Sequence, residues 1–110
     1  MPPRMDLLQG TLDLLILRTL TLEPQHGWGI ARRIGQLTRG TFDVKPGSMF
    51  PALKRLEDKG WIVASWGPSD NGRRAKFYAL TDAGRRHARD EATTWRRVVA
   101  AIGWALEGTR

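Results

Sequence analysis

The chain has two imidazoles, His26 and His87, and neither stands at catalytic spacing from a carboxylate or a serine. There is no cysteine, which removes thiolate nucleophiles, thiolate metal sites and disulfides at once. Glu57 and Asp58 are adjacent on a helical stretch, so their carboxylates point about a quarter-turn apart and cannot share acid–base work. Gly27-Trp28-Gly29 holds two glycines of a dinucleotide loop, but the third is missing and no strand is predicted before it. Tight helix packing accounts for it better. The residues therefore read as those of a protein that is not an enzyme and that uses neither metal nor cofactor.

The chemistry that remains is ionic. Eighteen lysines and arginines face eleven acidic residues, a net charge of +7. Such an excess favours polyanions through phosphate neutralisation and counterion release. Its placement is more telling than its size. From Lys45 to Lys76, seven cations (Lys45, Lys54, Arg55, Lys59, Arg73, Arg74, Lys76) face three anions, for a net +4 within 32 residues.

Those cations need elements to position them. At 110 residues and 41% hydrophobic, the chain suits one modest core. Apolar runs such as Leu14–Leu17 are far too short to span a bilayer, and its start lacks a signal-peptide pattern. A soluble, cytoplasmic protein is expected. Leu7, Leu8, Leu12, Leu15 and Ile16 recur at helical spacing, with Leu14, Leu17 and Leu20 widening the apolar surface. Glu23-Pro24 ends that helix. A second helix is predicted from about His26 to Thr38, followed by a short extended piece at Thr41–Val44. A third opens at Pro46, buries Met49, Phe50, Leu53 and Leu56, and turns Ser48, Ala52, Lys54, Arg55 and Lys59 outward. Trp61–Trp66 and Arg74–Leu80 read as a hairpin around the turn-forming run from Gly67 to Gly72. Thr81 should cap a last helix reaching about Glu107.

The fold class is thus mainly α with a small β-hairpin: a winged helix-turn-helix followed by one long carboxy-terminal helix. In this architecture the third helix enters the DNA major groove, and the hairpin brings cations to the flanking backbone. Lys45, Gly47, Ser48, Lys54, Arg55, Arg73, Arg74 and Lys76 are the expected DNA contacts.

Several motifs carry a resemblance in order and spacing. They are Leu8-Gln-Gly-Thr-Leu-Asp-Leu-Leu-Ile-Leu17, His26-Gly-Trp-Gly-Ile30, Pro46-Gly-Ser-Met-Phe-Pro-Ala-Leu-Lys-Arg-Leu-Glu57, Gly60-Trp-Ile62, Arg73-Arg-Ala-Lys-Phe-Tyr78 and Leu80-Thr-Asp-Ala-Gly84. Over roughly residues 6–107 the chain resembles the PadR family of bacterial transcription repressors, in its small subtype with a single dimerisation helix. The resemblance implies a homodimer on a palindromic operator, with repression often relieved by a small effector. Two positions depart from the family pattern. Lys45 stands where relatives commonly place the Ser or Thr before Pro-Gly, and Phe50 stands where they tend to have Tyr. The first loses a capping oxygen, worth about 1 kcal/mol, for which Asp43 could compensate. The second loses a hydroxyl contact.

The last helix carries Ala88, Ala92, Trp95, Val99, Ile102 and Leu106 at alternating spacings of three and four, the stripe a helix needs to lie along a partner. Together with Leu8 and Leu12 of the first helix these form the expected dimer interface, and Trp95 is the candidate contact for a small hydrophobic or aromatic effector. The expected division is a DNA-binding domain over residues 6–80 and a dimerisation helix over 81–107. The expected function is a sequence-specific repressor bound to double-stranded DNA. Two alternatives remain at this level: a basic protein-interaction module docking an acidic partner, and a non-specific architectural DNA binder.

Overall fold

The computed structural model of the chain describes residues 9–108. Within them the order is α1 (Gln9–Leu20), β1 (Gln25–His26), α2 (Gly27–Leu37), α3 (Pro46–Asp58), β2 (Ile62–Pro68), β3 (Arg74–Leu80) and α4 (Asp82–Glu107). Leu7 and Leu8, expected at the start of the first helix, lie outside the described residues.

Helix α1 is central because it is apolar on more than one side. Its Ile16, Leu17 and Leu20 are fully buried against Ile30 and Ile34 of α2, Met49, Leu53 and Leu56 of α3, and Ile62 of β2. Thr19 is buried on the same helix, and its hydroxyl donates to the Leu15 carbonyl at 2.9 Å, so no polar group is stranded there. On α3 the apolar spacing predicts an outward Ala52. The side chain is instead fully buried, because it stands only about 40° round the helix from Leu56, at the edge of the face that meets the core.

Each helix start has its own solution for the unpaired first-turn amides. Helix α2 begins one residue later than predicted because His26 is its cap: the Gly29 amide donates to His26 Nδ1 at 3.1 Å. Helix α3 has Pro46 in its first turn, which needs no amide partner, and Lys45 supplies no side-chain cap. Asp43 sits beside it, with a carboxylate oxygen 2.7 Å from Lys45 Nζ.

The sheet has one strand more than the predicted hairpin. Strand β1 pairs antiparallel with β3, Gln25 opposite Tyr78 and His26 opposite Phe77, giving the order β1-β3-β2. Two residues are too few to carry an alternating pattern, so sequence periodicity had nothing to register. The expectation that no strand precedes Gly27 is corrected accordingly. Thr41–Val44, predicted as extended, is irregular, anchored by the buried Val44. The hairpin itself runs in register from Ile62 opposite Leu80 to Pro68 opposite Arg74.

The junction between α3, the hairpin and α4 is unusually close. Gly60, just past α3, adopts φ +77°, a left-handed conformation that glycine takes without steric cost. The Thr81 hydroxyl donates to the Gly60 carbonyl at 2.7 Å and accepts from the Gly84 amide at 3.0 Å, while the Thr81 amide donates to the Trp61 carbonyl at 3.0 Å. A methyl group on Gly84 would stand 1.9 Å from that same Trp61 oxygen. On the next turn of α4, the His87 ring stacks on Trp61 with centroids 3.6 Å apart and planes 14° apart. Gly84→Ala should therefore cost about 1–3 kcal/mol through overpacking against backbone. Urea unfolding of the variant should show that loss, and an unchanged midpoint would mean the junction is compliant.

Candidate nucleic-acid interface

Helices α2 and α3 form the helix-turn-helix, and the β2–β3 hairpin stands beside α3. The outward arc of α3 carries Gly47, Ser48, Phe50, Pro51, Lys54 and Asp58, all exposed. Phe50, expected in the buried stripe, is instead 52% exposed, about 100° round the helix from Met49. Lys54 Nζ lies 2.8 Å from Asp58 Oδ1, one helical turn on. The hydrogen bond to Asp58, followed by the charges of Asp58 and Glu57, raises the Lys54 pKa above its ordinary value and keeps the group a cation.

Arg55, expected as a DNA contact, points elsewhere. Its Nη2 donates to Asp13 Oδ1 of α1 at 2.8 Å, with the Asp13 carboxylate largely buried. The guanidinium thus ties α3 to α1, and it leaves the set of groups free to meet a ligand. An outward arginine and one reaching round to a neighbouring helix have the same spacing on α3, so sequence alone could not separate them.

The hairpin supplies the other cations. Arg73 and Arg74 are exposed at its tip, and Arg74 lies 5.9 Å from the centroid of the Trp66 ring. The tip is preformed: the Ser69 amide donates to the Arg73 carbonyl at 2.7 Å, and the Arg73 amide donates to Asn71 Oδ1 at 3.1 Å. Lys76 is opposite Trp66 in the register, on the face of the sheet toward α3, and its Nζ stands 3.8 Å from Glu57. Lys45 is exposed at the start of α3.

Between these elements lie two clefts. One, of about 490 Å³, runs between α3 and the sheet and is lined by Trp28, Phe50, Lys54, Trp66 and Lys76. The other, of about 570 Å³, opens between α2 and the hairpin tip, with Trp28 and Arg32 facing Arg73 and Arg74. Trp28 and Arg32 are additions to the sequence-predicted set. They stand four residues apart on the polar side of α2, opposite Ile30 and Ile34, and that spacing was the available signal. Trp28 is 73% exposed. Gly27 does serve close packing: a methyl there would meet the Phe50 ring at 3.0 Å.

The expected dimer residues separate into groups. Leu8 lies outside the described residues. Leu12 and Ala88 are buried inside their own chain, so neither has surface left for a partner. Ala92 and Trp95 are half-buried, whereas Val99, Ile102 and Leu106 are exposed, Leu106 at 77%. Trp104 is 72% exposed on the opposite side of α4, nine residues or about 180° from Trp95. Among the described residues there is no group of three acidic or histidine side chains placed to hold a metal. Nor, among them, is any helix long and apolar enough to cross a membrane.

Two helices joined by a short irregular segment, with a basic hairpin beside the second, define a winged-helix protein of the DNA-binding kind. The comparisons with known proteins make the class specific. The chain belongs to the Transcriptional regulator PadR-like family, whose profile matches residues 16–90. It is 30% identical over 105 residues to an uncharacterized protein X of Lysinibacillus sphaericus, covering 96% of each chain. It is 32% identical over 75 residues to the transcriptional regulator YqjI of Escherichia coli (strain K12), covering 68% of this chain and 34% of that one. Among solved structures, a PadR family transcription regulator from Clostridium difficile R20291 superposes with a TM-score of 0.76 at 31% identity, covering 86% of this chain and 97% of that one.

The pairings at this face predict distinct outcomes for two substitutions. Asp58→Asn removes an anion from the outward arc and releases Lys54. Affinity for any duplex should rise, and the slope of log K against log salt should steepen by roughly one unit per subunit. Arg55→Ala should instead lower stability by about 2 kcal/mol, since it strands the Asp13 carboxylate. Fluorescence anisotropy at several salt concentrations, beside urea unfolding, separates the two; Arg55→Ala weakening DNA binding with stability intact would return Arg55 to the interface.

Proposed function

We propose that the protein is a homodimeric, cytoplasmic repressor that binds a palindromic DNA operator and is released by a small hydrophobic or aromatic effector. One observation carries this reading: the distal half of α4 exposes an aliphatic stripe in a chain whose α3 and hairpin are basic. Val98, Val99, Ile102 and Leu106 crowd that half of α4, with Arg96 and Arg97 exposed beside them, while Lys45, Lys54, Arg73 and Arg74 are exposed at α3 and the hairpin. A helix this apolar and this exposed needs a cover, and an identical helix is the partner always at hand.

Lys45, Gly47, Ser48, Lys54, Arg73, Arg74 and Lys76 are the proposed DNA contacts, joined by Arg32. The hairpin cations meet phosphates and set affinity, while Ser48 and Lys54 approach base edges. Residues 81–107 act as the dimerisation helix, with Trp95, Val99, Ile102 and Leu106 in the seam and Ala92 at its margin. Major grooves on one face of B-DNA recur about 34–36 Å apart, so both recognition helices engage only when the seam holds that separation. An effector lodged against Trp95 shifts the separation by its differential affinity for the two arrangements.

The test is a double substitution that leaves the subunit core alone. Val99→Glu with Ile102→Glu should give a monomer with native secondary structure and at least about 100-fold weaker operator binding, because the second half-site is lost. Analytical ultracentrifugation and gel shift measure the two parts. A monomer that binds the whole operator as tightly as wild type would sink the spacing mechanism.

Salt dependence addresses the alternatives. Five phosphate contacts per subunit at about −0.9 each put the dimer's slope well beyond −4. A shallow slope would favour an acidic protein partner, and equal affinity for all duplexes would favour an architectural role. Trp95→Ala should keep DNA binding yet abolish displacement by planar aromatic compounds found to release the wild-type protein. Unchanged displacement would put the effector site elsewhere.

A further inference from the structure

The outward arc of α3 is poor in the groups that usually read bases. Guanine is commonly read by a bidentate arginine and adenine by asparagine or glutamine. Helix α3 has no Asn or Gln, and its single arginine, Arg55, is bonded to Asp13 on the inner side. Lys54 is held by Asp58, which leaves Ser48 as the one uncharged polar side chain on the arc. What the arc offers in quantity is apolar surface: Gly47, Pro51 and the 52% exposed Phe50.

We infer that α3 reads thymines through their 5-methyl groups, with Phe50 and Pro51 as the specificity-determining residues. This rests on the reading of α3 as the major-groove helix. The thymine methyl is the apolar feature of the major groove, and a phenyl ring is one of its ordinary partners. Phe50 is built for a fixed contact. One edge of its ring sits against Gly27, where any added side chain would meet it at 3.0 Å, while about half of the residue stays open. Charge complementarity identifies the occupant as a nucleic-acid duplex: Lys54 and Lys76, with Glu57 as the one carboxylate, line the same cleft as Phe50 and Trp66, and the exposed Arg73 and Arg74 stand at the hairpin tip. An exposed aromatic ring beside these cations is matched by a polyanion that carries methyl groups between its phosphate rows. The missing hydroxyl of Phe50 fits the same assignment, because a methyl contact needs none.

The experiment removes the methyl groups from the DNA and leaves the protein untouched. The full chain selects its sites from a random duplex pool, and each thymine of the enriched half-site is then replaced by deoxyuridine. Base pairing and phosphate charge stay the same. One or two thymines per half-site should each cost about fourfold in affinity, the worth of one buried methyl-sized group. The penalty should vanish in Phe50→Ala or Pro51→Ala and persist in Ser48→Ala. Phe50→Leu, which keeps apolar contact with Gly27, should retain part of it should Phe50→Ala fold poorly. An enriched site indifferent to every deoxyuridine, or a penalty undiminished in the Phe50 and Pro51 variants, overturns the methyl reading alone. A pool that enriches no sequence overturns the operator reading and this inference with it.

Discussion

Helix α4 starts where its backbone comes within touching distance of the Trp61 carbonyl, and much of the molecule's geometry follows from that approach. The carbonyl accepts from the Thr81 amide, and Gly84 has no side chain to hold it off. Thr81 also closes on Gly60, the residue that ends α3. One small knot of backbone therefore joins the end of α3, the start of the hairpin and the start of α4. His87 stacked on Trp61 adds a second turn of contact. Displacement of α4 passes toward α3 through these residues and through α1, against which both helices pack.

The exposure of aliphatic surface on α4 follows from how little core is available. A domain of this size has one core, and α1 occupies its centre. Only the first turns of α4, through Gly84 and Ala88, find room against that core. The remainder extends with its aliphatic side chains uncovered beside the exposed Arg96 and Arg97. The molecule thus combines a basic helix-turn-helix and hairpin with an exposed aliphatic stripe on α4.

Electrostatics on the face of α3 and the hairpin is less generous than the +7 net charge implies. Glu57 and Asp58 tether Lys76 and Lys54, Asp43 pairs with Lys45, and Asp13 holds Arg55. The three lysine pairs are exposed and stabilise the fold little, unlike the largely buried Asp13 pair. They offset part of the positive charge on this face.

Much of this protein was legible in its residues. Local signals settle local structure: Pro46 opens α3, Thr81 caps α4, and the turn-forming run bends the hairpin, because caps, turns and apolar periodicity act over a few residues. The family membership was legible too, carried by motifs such as Pro46–Glu57. Tertiary structure decided what depends on neighbours distant in sequence. Strand β1 is two residues long and exists only because β3 lies beside it. Ala52 is buried by the way α3 packs, and Arg55 turns inward because Asp13, 42 positions earlier, waits there. Leu12 and Ala88 read as interface residues by spacing, yet their own chain covers them. Periodicity names the apolar face of a helix but not what lies against it; that is settled by long-range packing, where partners meet only once the chain has folded.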